Sequence, residues 1–286
     1  MIHPAAPRVC PLAERATATE VLQGLAPAPW VVRRCRETGF VYLENPPGYE
    51  ALQSELAWEV TWQREAQARA AAEPTLYRIS QAVKRFRRRV LKRDKVADLA
   101  TAALLRVRRD EIRLLDLGCG EGRLLGDVMQ RLPADVRSRC VPYGVEISNE
   151  LARRSAQVLA RNAGRCVHAS ALQGLATFGD AFFDLIVMSS FLEHEILPLP
   201  LLRESRRTLR DGGTVLVKVP NYASWNRRLR GARWCGYRWP DHVNYFTPTT
   251  LAAMARAAGL EVARMTWRDR FPLSDSLYAV LRRASA

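Results

Sequence analysis

Four residues at alternate positions carry the first recognisable chemistry: Asp116, Gly118, Gly120 and Gly122, within Leu114-Leu115-Asp116-Leu117-Gly118-Cys119-Gly120-Glu121-Gly122-Arg123-Leu124-Leu125. An apolar run meets an acidic residue, then glycines alternate, then an amphipathic pattern begins. The run reads as a buried parallel strand. The glycines read as a tight turn that lets a ligand lie against bare backbone. The helix opening supplies free N–H groups and the positive end of a dipole. Together they predict a strand–loop–helix nucleotide site. Its G-x-G-x-G spacing differs from the G-x-G-x-x-G of dinucleotide sites, and the phosphate loop G-x-x-x-x-G-K-[ST] is absent.

A second β-type run, Cys140 to Val145, ends in Glu146-Ile147-Ser148. A carboxylate at a strand end can accept from both hydroxyls of a ribose. A third run, Arg165 to His168, leads into Ser170-Ala171-Leu172. A fourth, Phe182 to Met188, leads into Ser189-Ser190-Phe191-Leu192-Glu193-His194. Histidine titrates near neutral pH and suits a general base. His242 is the first candidate and His194 a weaker one, with Asp241 and Tyr245 behind them. Residues 221–246 interleave aromatics with arginines, among them Trp225, Arg238, Trp239 and Tyr245. Flat apolar walls and guanidinium forks suit an acceptor substrate, so this segment is read as a substrate cap. The same interleaving can serve single-stranded nucleic acid.

The Asp116-Gly118-Gly120-Gly122 pattern resembles the D/E-x-G-x-G-x-G first motif of the class I S-adenosylmethionine-dependent methyltransferases. Two more stretches are similar to that family: Phe183-Asp184 followed by Leu192-Glu193-His194, and His242 followed by Phe246-Thr247-Pro248 and Leu251. The resemblance covers roughly residues 110–282 and points to the group that includes quinone-pathway O-methyltransferases. It implies a Rossmann-like α/β fold: a seven-stranded, mostly parallel sheet with a C-terminal antiparallel hairpin. It implies S-adenosylmethionine as cofactor, held by Asp116, Gly118, Cys119, Gly120, Gly122, Glu146, Ile147, Ser170, Ala171, Leu172 and Ser189. It implies methyl transfer to a small-molecule, sugar or lipid-type acceptor, anionic or amphipathic, on oxygen or alternatively carbon.

Two positions depart from the family. Ser170 stands where an acidic residue usually accepts from the adenine amino group, and a hydroxyl accepts more weakly than a carboxylate. Ser190 stands at the first acidic position of E-x-x-E-H, which quinone-pathway relatives use on a divalent metal, so no metal is expected. Two other readings stay open. One is a nucleic-acid methyltransferase, although the N-P-P-[YF] motif of base N-methylation is absent after the fourth strand. The other is a non-catalytic cofactor-binding or membrane-peripheral protein.

The elements that must position these residues follow from the bulk pattern. The 286 residues allow one large domain or a domain with an appendage, and 48% hydrophobic content suits a real core. No run approaches the ~18 apolar residues of a membrane span, and Met1 to Glu20 lacks a secretory signal. Cysteines 10, 35, 119, 140, 166 and 235 form no C-x-x-C pair, which suits a cytoplasmic protein. Cys10 and Cys35 alone cannot close a zinc site. The net charge is +15, and apart from Lys84, Lys92, Lys95 and Lys218 all basic residues are arginines. This balance favours anionic partners without choosing one.

Residues 1–48 read as a loose arm with one β-type run, Phe40 to Leu43. Residues 49–109 read as a helical extension. Its first helix, 49–73, sets Trp58 and Trp62 one turn apart. The next carries an apolar stripe (Leu76, Ile79, Val83, Phe86, Val90) under a basic run at 84–93. That run is a solvated face over a packed stripe, a contact to anionic membrane, or a grip on nucleic acid. A third helix covers 94–108. Residues 110–286 form the methyltransferase-like domain, alternating strand and helix.

Overall fold

The computed structural model describes residues 4, 6–49, 67, 74, 78, 82 and 94–284. The helices expected over 49–73 and 76–93, with Trp58, Trp62 and the basic run 84–93, lie almost wholly outside the described residues.

The centre of the molecule is β4 (Ile112–Leu117). Parallel partners flank it on both sides, β5 (Cys140–Glu146) and β7 (Phe183–Ser189). A strand enclosed in this way buries both faces, which explains Ile112 and the leucines at 114, 115 and 117. Side chains alternate across it. Ile112 and Leu114 enter one layer with α1 (Lys95–Leu104) and α2 (Arg123–Gln130). Leu115 and Leu117 enter the other, with α5 (Ala171–Ala176), α6 (Pro198–Thr208) and α8 (Pro248–Ala257). The short α3 (Ala134–Arg137) follows Pro133, and α4 (Asn149–Leu159) follows β5.

Helix starts follow their capping residues. Asp94 accepts from Val96 N and Ala97 N at 3.0 and 3.3 Å, and Thr247 and Thr250 form a reciprocal capping box at α8. The remaining strands of the large sheet are β6 (Arg165–His168), β8 (Leu209–Pro220), β10 (Leu260–Arg264) and β11 (Ser276–Arg283). Its order is β10-β11-β8-β7-β4-β5-β6. Only β11 runs against its neighbours. The expected seven-stranded Rossmann-like sheet with a C-terminal antiparallel hairpin is what the chain forms. The chain winds outward through β5 and β6, then crosses to β7 on the far side of β4. That reversal opens a crevice beyond the carboxyl ends of these strands.

Residues 1–48 differ from the expected loose arm. They contain β1 (Thr19–Val21), β2 (Val32–Cys35) and β3 (Val41–Leu43), which join β9 (Asn244–Tyr245) in a four-stranded antiparallel sheet. Val32, Val41 and Leu43 pack on Tyr222, Trp234, Val243 and Tyr245. Cys10, Leu12, Cys35, Phe40 and Tyr42 enter the main core. Strands of three or four residues carry little periodicity of their own. Their fourth strand and their apolar partners arrive from the other end of the chain, so the local pattern shows neither.

Candidate cofactor and active site

The loop after β4 is built on two contacts that only glycine allows. Gly118 has φ +69°, and a Cβ there would lie 2.4 Å from the Phe191 ring. Gly122, the α2 N-cap, has φ +75°, and a Cβ would lie 2.8 Å from Ser155 Oγ. Gly120 instead faces open space and donates its N–H to Glu146 Oε2 at 2.8 Å. The other oxygen, Oε1, accepts from Ser148 N at 2.9 Å. Glu146 thus ties the loop after β4 to the start of α4. Cys119 Sγ fills the gap left by Gly144, 3.1 Å from Ser155 Oγ and 3.7 Å from Cys166 Sγ.

These residues wall a cavity of about 640 Å³. Asp116, Gly118, Cys119, Gly120, Glu146, Ile147, Ser170, Ala171 and Ser189 all line it. Gly122 and Leu172 do not: Gly122 turns toward Ser155, and Leu172 packs against the core. Ser170 caps α5 and donates from Oγ to Gln173 Oε1 at 2.9 Å. Asp116 is 3% exposed. Burial and the neighbouring Glu146 carboxylate push its pKa up to about 8.

Another part of the wall is polar: Ser190, His194, Glu195, Asp241 and Tyr49. His194 donates from Nδ1 to Asp241 Oδ1 at 2.9 Å. Burial alone would depress this imidazole, but the Asp241 carboxylate overrides it and brings the pKa to about 9. Arg238 Nη2 lies 3.1 Å from Asp241 Oδ2. Despite burial, Asp241 is held below the usual carboxylate range by His194, His242 and Arg238. Sequence reasoning ranked His194 second, yet it is the histidine on the cavity wall.

His242, the first-ranked base, does not line the cavity. It is 4% exposed, packs edge-on behind His194 at 4.6 Å between ring centroids, and bonds Gly236 O from Nδ1 at 2.8 Å. Burial and repulsion from His194 hold it neutral, well below the ordinary range. The four expected substrate residues also lie off the cavity wall. Trp225, on the short α7 (Trp225–Arg230), is 53% exposed, and Arg238 is paired with Asp241. Trp239 and Tyr245 pack in the cap's own core, where Tyr245 is fully buried and donates to His242 O. The aromatic interleaving of 221–246 is therefore chiefly the core pattern of the cap and the N-terminal sheet.

Three contributors had no local signal. Arg8 donates to Leu43 O, Ile196 O and Val243 O, fastening the N-terminal segment to the His194 loop and the cap. Asn244 bonds Leu192 O and Glu195 O from the cap side. Tyr49 donates to Glu195 Oε1, which also accepts from Leu197 N at 2.8 Å. Among the described residues, Glu193, His194 and His242 bring ligand-type atoms within 4.8 Å of one another, and Glu193 Oε2 is buried without a hydrogen-bond partner. With Ser190 in place of an acid, any third donor there would come from the cap rather than from E-x-x-E-H.

The cavity volume and glycine loop fit an elongated nucleoside ligand, and the comparisons agree with this class of fold. A family model described as a methyltransferase domain matches residues 83–264. The chain therefore belongs to the methyltransferase-domain family, whose cofactor is S-adenosylmethionine. Among curated relatives, a "Ubiquinone biosynthesis O-methyltransferase" of Cupriavidus pinatubonensis is 29% identical over 178 residues, covering 59% of this chain and 68% of the relative. Two others with that name, from Cereibacter sphaeroides and Paraburkholderia phymatum, are each 31% identical over 159 residues. Those matches cover 52% and 53% of this chain and 60% and 65% of the relatives. Two solved structures share the fold. The CcbJ methyltransferase from Streptomyces caelestis has a TM-score of 0.51 and 20% identity, covering 66% of this chain and 90% of that one. An S-adenosylmethionine-dependent methyltransferase from Clostridium acetobutylicum has a TM-score of 0.51 and 9% identity, covering 72% and 99%.

Proposed function

We propose that the chain transfers a methyl group from S-adenosylmethionine to a hydroxyl of a small, apolar or lipid-type acceptor, and that His194 is the base. The observation that carries this reading is the His194–Asp241 pair lining the same cavity as the glycine loop. Named relatives act as O-methyltransferases in ubiquinone biosynthesis, which supports an oxygen nucleophile. When bound, the cofactor supplies an electrophilic methyl group on a cationic sulfur. The loop from Gly118 to Gly120 would hold it on bare backbone, Glu146 would accept from its ribose, and Asp116 would present carboxylate oxygens toward positive charge. Asp241 fixes the ring orientation of His194, leaving Nε2 to take the acceptor's proton. Positioning of this kind is worth about 7–11 kcal/mol of barrier in well-oriented reactions. A cytoplasmic location belongs to the same reading, supported by six cysteines outside any disulfide. No described helix is long and apolar enough to cross a membrane. The metal-free expectation is likewise a proposal, tested by elemental analysis.

The decisive test is calorimetric titration of S-adenosylmethionine and S-adenosylhomocysteine, with Gly120→Arg and Glu146→Ala as controls. Micromolar binding lost in both variants is expected. Absence of binding by the unaltered chain would end the enzymatic reading. Acceptors are then screened by release of S-adenosylhomocysteine, comparing phenolic lipids with sugars.

A further inference from the structure

Two free cysteines meet behind the glycine loop, and methyl transfer gives their thiols no task. Cys119 lies between Gly118 and Gly120 and lines the cavity, while Cys166 lies on β6, the outermost strand of the large sheet. Their sulfurs are 3.7 Å apart, although 47 positions separate them in the chain. The sulfurs of Cys10, Cys35, Cys140 and Cys235 instead contact oxygens, those of Thr38, Thr17, Val136 and Asp275.

The sheet brings the pair together. Asp116 on β4, Gly144 on β5 and Cys166 on β6 stand side by side in register. A side chain at 144 would close the path from the loop to the edge strand, since a Cβ there would lie 2.5 Å from Cys119 Sγ. Glycine leaves the path open, and Cys119 reaches across β5 to Cys166. Ser155, fully buried on α4, lies 3.1 Å from Cys119 Sγ.

The two thiols are not equivalent. Cys166 is half-buried on an edge strand, whereas Cys119 is 6% exposed. The hydrogen bond from Cys119 holds Cys166 below the ordinary thiol range despite its burial, and the same bond, with burial, pushes Cys119 up. The first therefore suits the attacking thiolate and the second the resolving thiol.

We propose that Cys119 and Cys166 form a reversible oxidation site for hydroperoxides, whose disulfide pulls the glycine loop away from the cofactor. With hydrogen peroxide, the Cys166 thiolate attacks the O–O bond, which breaks to leave a sulfenic acid on Cys166 and one water. Cys119 Sγ then attacks that sulfur, and its proton leaves with the hydroxyl as a second water. The two thiols have lost two electrons and two protons, and the peroxide has been reduced to two waters. A low-molecular-weight thiol reverses the bond by exchange. Disulfide sulfurs stand about 2.05 Å apart, so the pair must close nearly half of its present gap. β6 is held by its ladder to β5, so the loop is the part that gives. Its shift disturbs Gly118 under the Phe191 ring and the Gly120 N–H bond to Glu146. The effect on the cofactor rests on the function proposed above; formation of the bond does not.

The test treats the full chain with hydrogen peroxide, maps its thiols by peptide mass spectrometry and follows S-adenosylhomocysteine affinity by calorimetry. The expected product is a peptide cross-linked between Cys119 and Cys166. Affinity falls by about tenfold or more, and dithiothreitol restores it. Saturating S-adenosylhomocysteine slows the cross-link, because coupling between the two is reciprocal. Cys166→Ser binds the ligand as the reduced chain does and keeps that affinity under peroxide. A different cysteine pair, or sulfinic acid without a cross-link, overturns the proposal. Binding that survives the cross-link unchanged ends this proposal alone, whereas no binding by the reduced chain ends the cofactor reading and this proposal together.

Discussion

The two walls of the cavity are made of different material. One wall is largely backbone: a loop of glycines after β4, tied by Glu146 to the start of α4. The other is charge: His194 on Asp241, which Arg238 backs from behind the wall, and Glu195 with Tyr49. The first comes from one continuous stretch plus the ends of neighbouring strands. The second is assembled from three distant parts of the chain and held by Arg8 and Asn244. A backbone wall tolerates side-chain change poorly where φ is positive and well elsewhere. A charged wall depends on each partner, because burial makes every unpaired group costly.

Breaking the charged wall has the largest expected effect. His194→Gln lowers the turnover of an accepted substrate by about 10²–10⁴-fold, the usual contribution of a general base. It leaves the calorimetric affinity for the cofactor unchanged, since the backbone wall is intact. In the unaltered chain the rate rises with pH toward about 9, where the imidazole held up by Asp241 loses its proton. A rate flat between pH 6 and 9 would remove His194 from the base role. One divalent ion per chain by elemental analysis, lost in this variant, would make Glu193, His194 and His242 ligands instead.

Next comes the fastening of that wall. Arg8→Met strands carbonyls of Leu43, Ile196 and Val243 and is expected to cost about 3 kcal/mol of stability, read by chemical denaturation. Cofactor affinity falls little, while transfer to the acceptor falls with the displaced His194 loop. Equal losses in both would mean that the N-terminal sheet supports the whole cavity rather than one wall.

The contrast between walls also explains what the sequence could tell. Asp116, the alternating glycines and Glu146 sit on strands and turns whose pattern is local, so their positions and the sheet around them were legible. His194 and His242 were both visible, but ranking them needed the fold of the cap. His242 precedes the last helix, yet Asn244 and Tyr245 pair with β3 and draw it inward. Arg8 was illegible because three of its four acceptors are backbone carbonyls, to which no side-chain pattern points. Trp225 and Tyr245 belong to one aromatic-rich stretch, and only packing separates the exposed ring from the buried one.

The backbone wall can be probed through pH. An unfolded aspartate ionises near pH 4, while Asp116 keeps its proton up to about 8. Folded-state stability therefore falls as pH rises from 4 to 8, and Asp116→Asn should recover stability across that window but not below it. A cationic ligand instead favours the ionised carboxylate. Affinity for S-adenosylmethionine should rise up to tenfold per pH unit toward 8, with about one proton released on binding. The ligand's own amino group titrates nearby, so the comparison is with Asp116→Asn, in which that rise disappears. An affinity with the same pH dependence in both forms would place Asp116 away from the ligand's charge.

The smallest expected change is a gain. Ser170 lines the cavity and caps α5, and aspartate is as good an N-cap as serine. Ser170→Asp can therefore alter the site without disturbing the helix. A carboxylate accepts roughly twice as strongly as a hydroxyl. If the adenine amino group rests here, as the family resemblance implies, calorimetric affinity improves by about two- to tenfold for S-adenosylmethionine. S-adenosylhomocysteine separates this from simple charge attraction. It carries the same adenine but lacks the sulfonium charge, so an amino-group contact improves both ligands alike, whereas a general field improves mainly the cation. No change for either would show that the backbone holds the base, carrying the logic of the glycine wall across the whole cofactor.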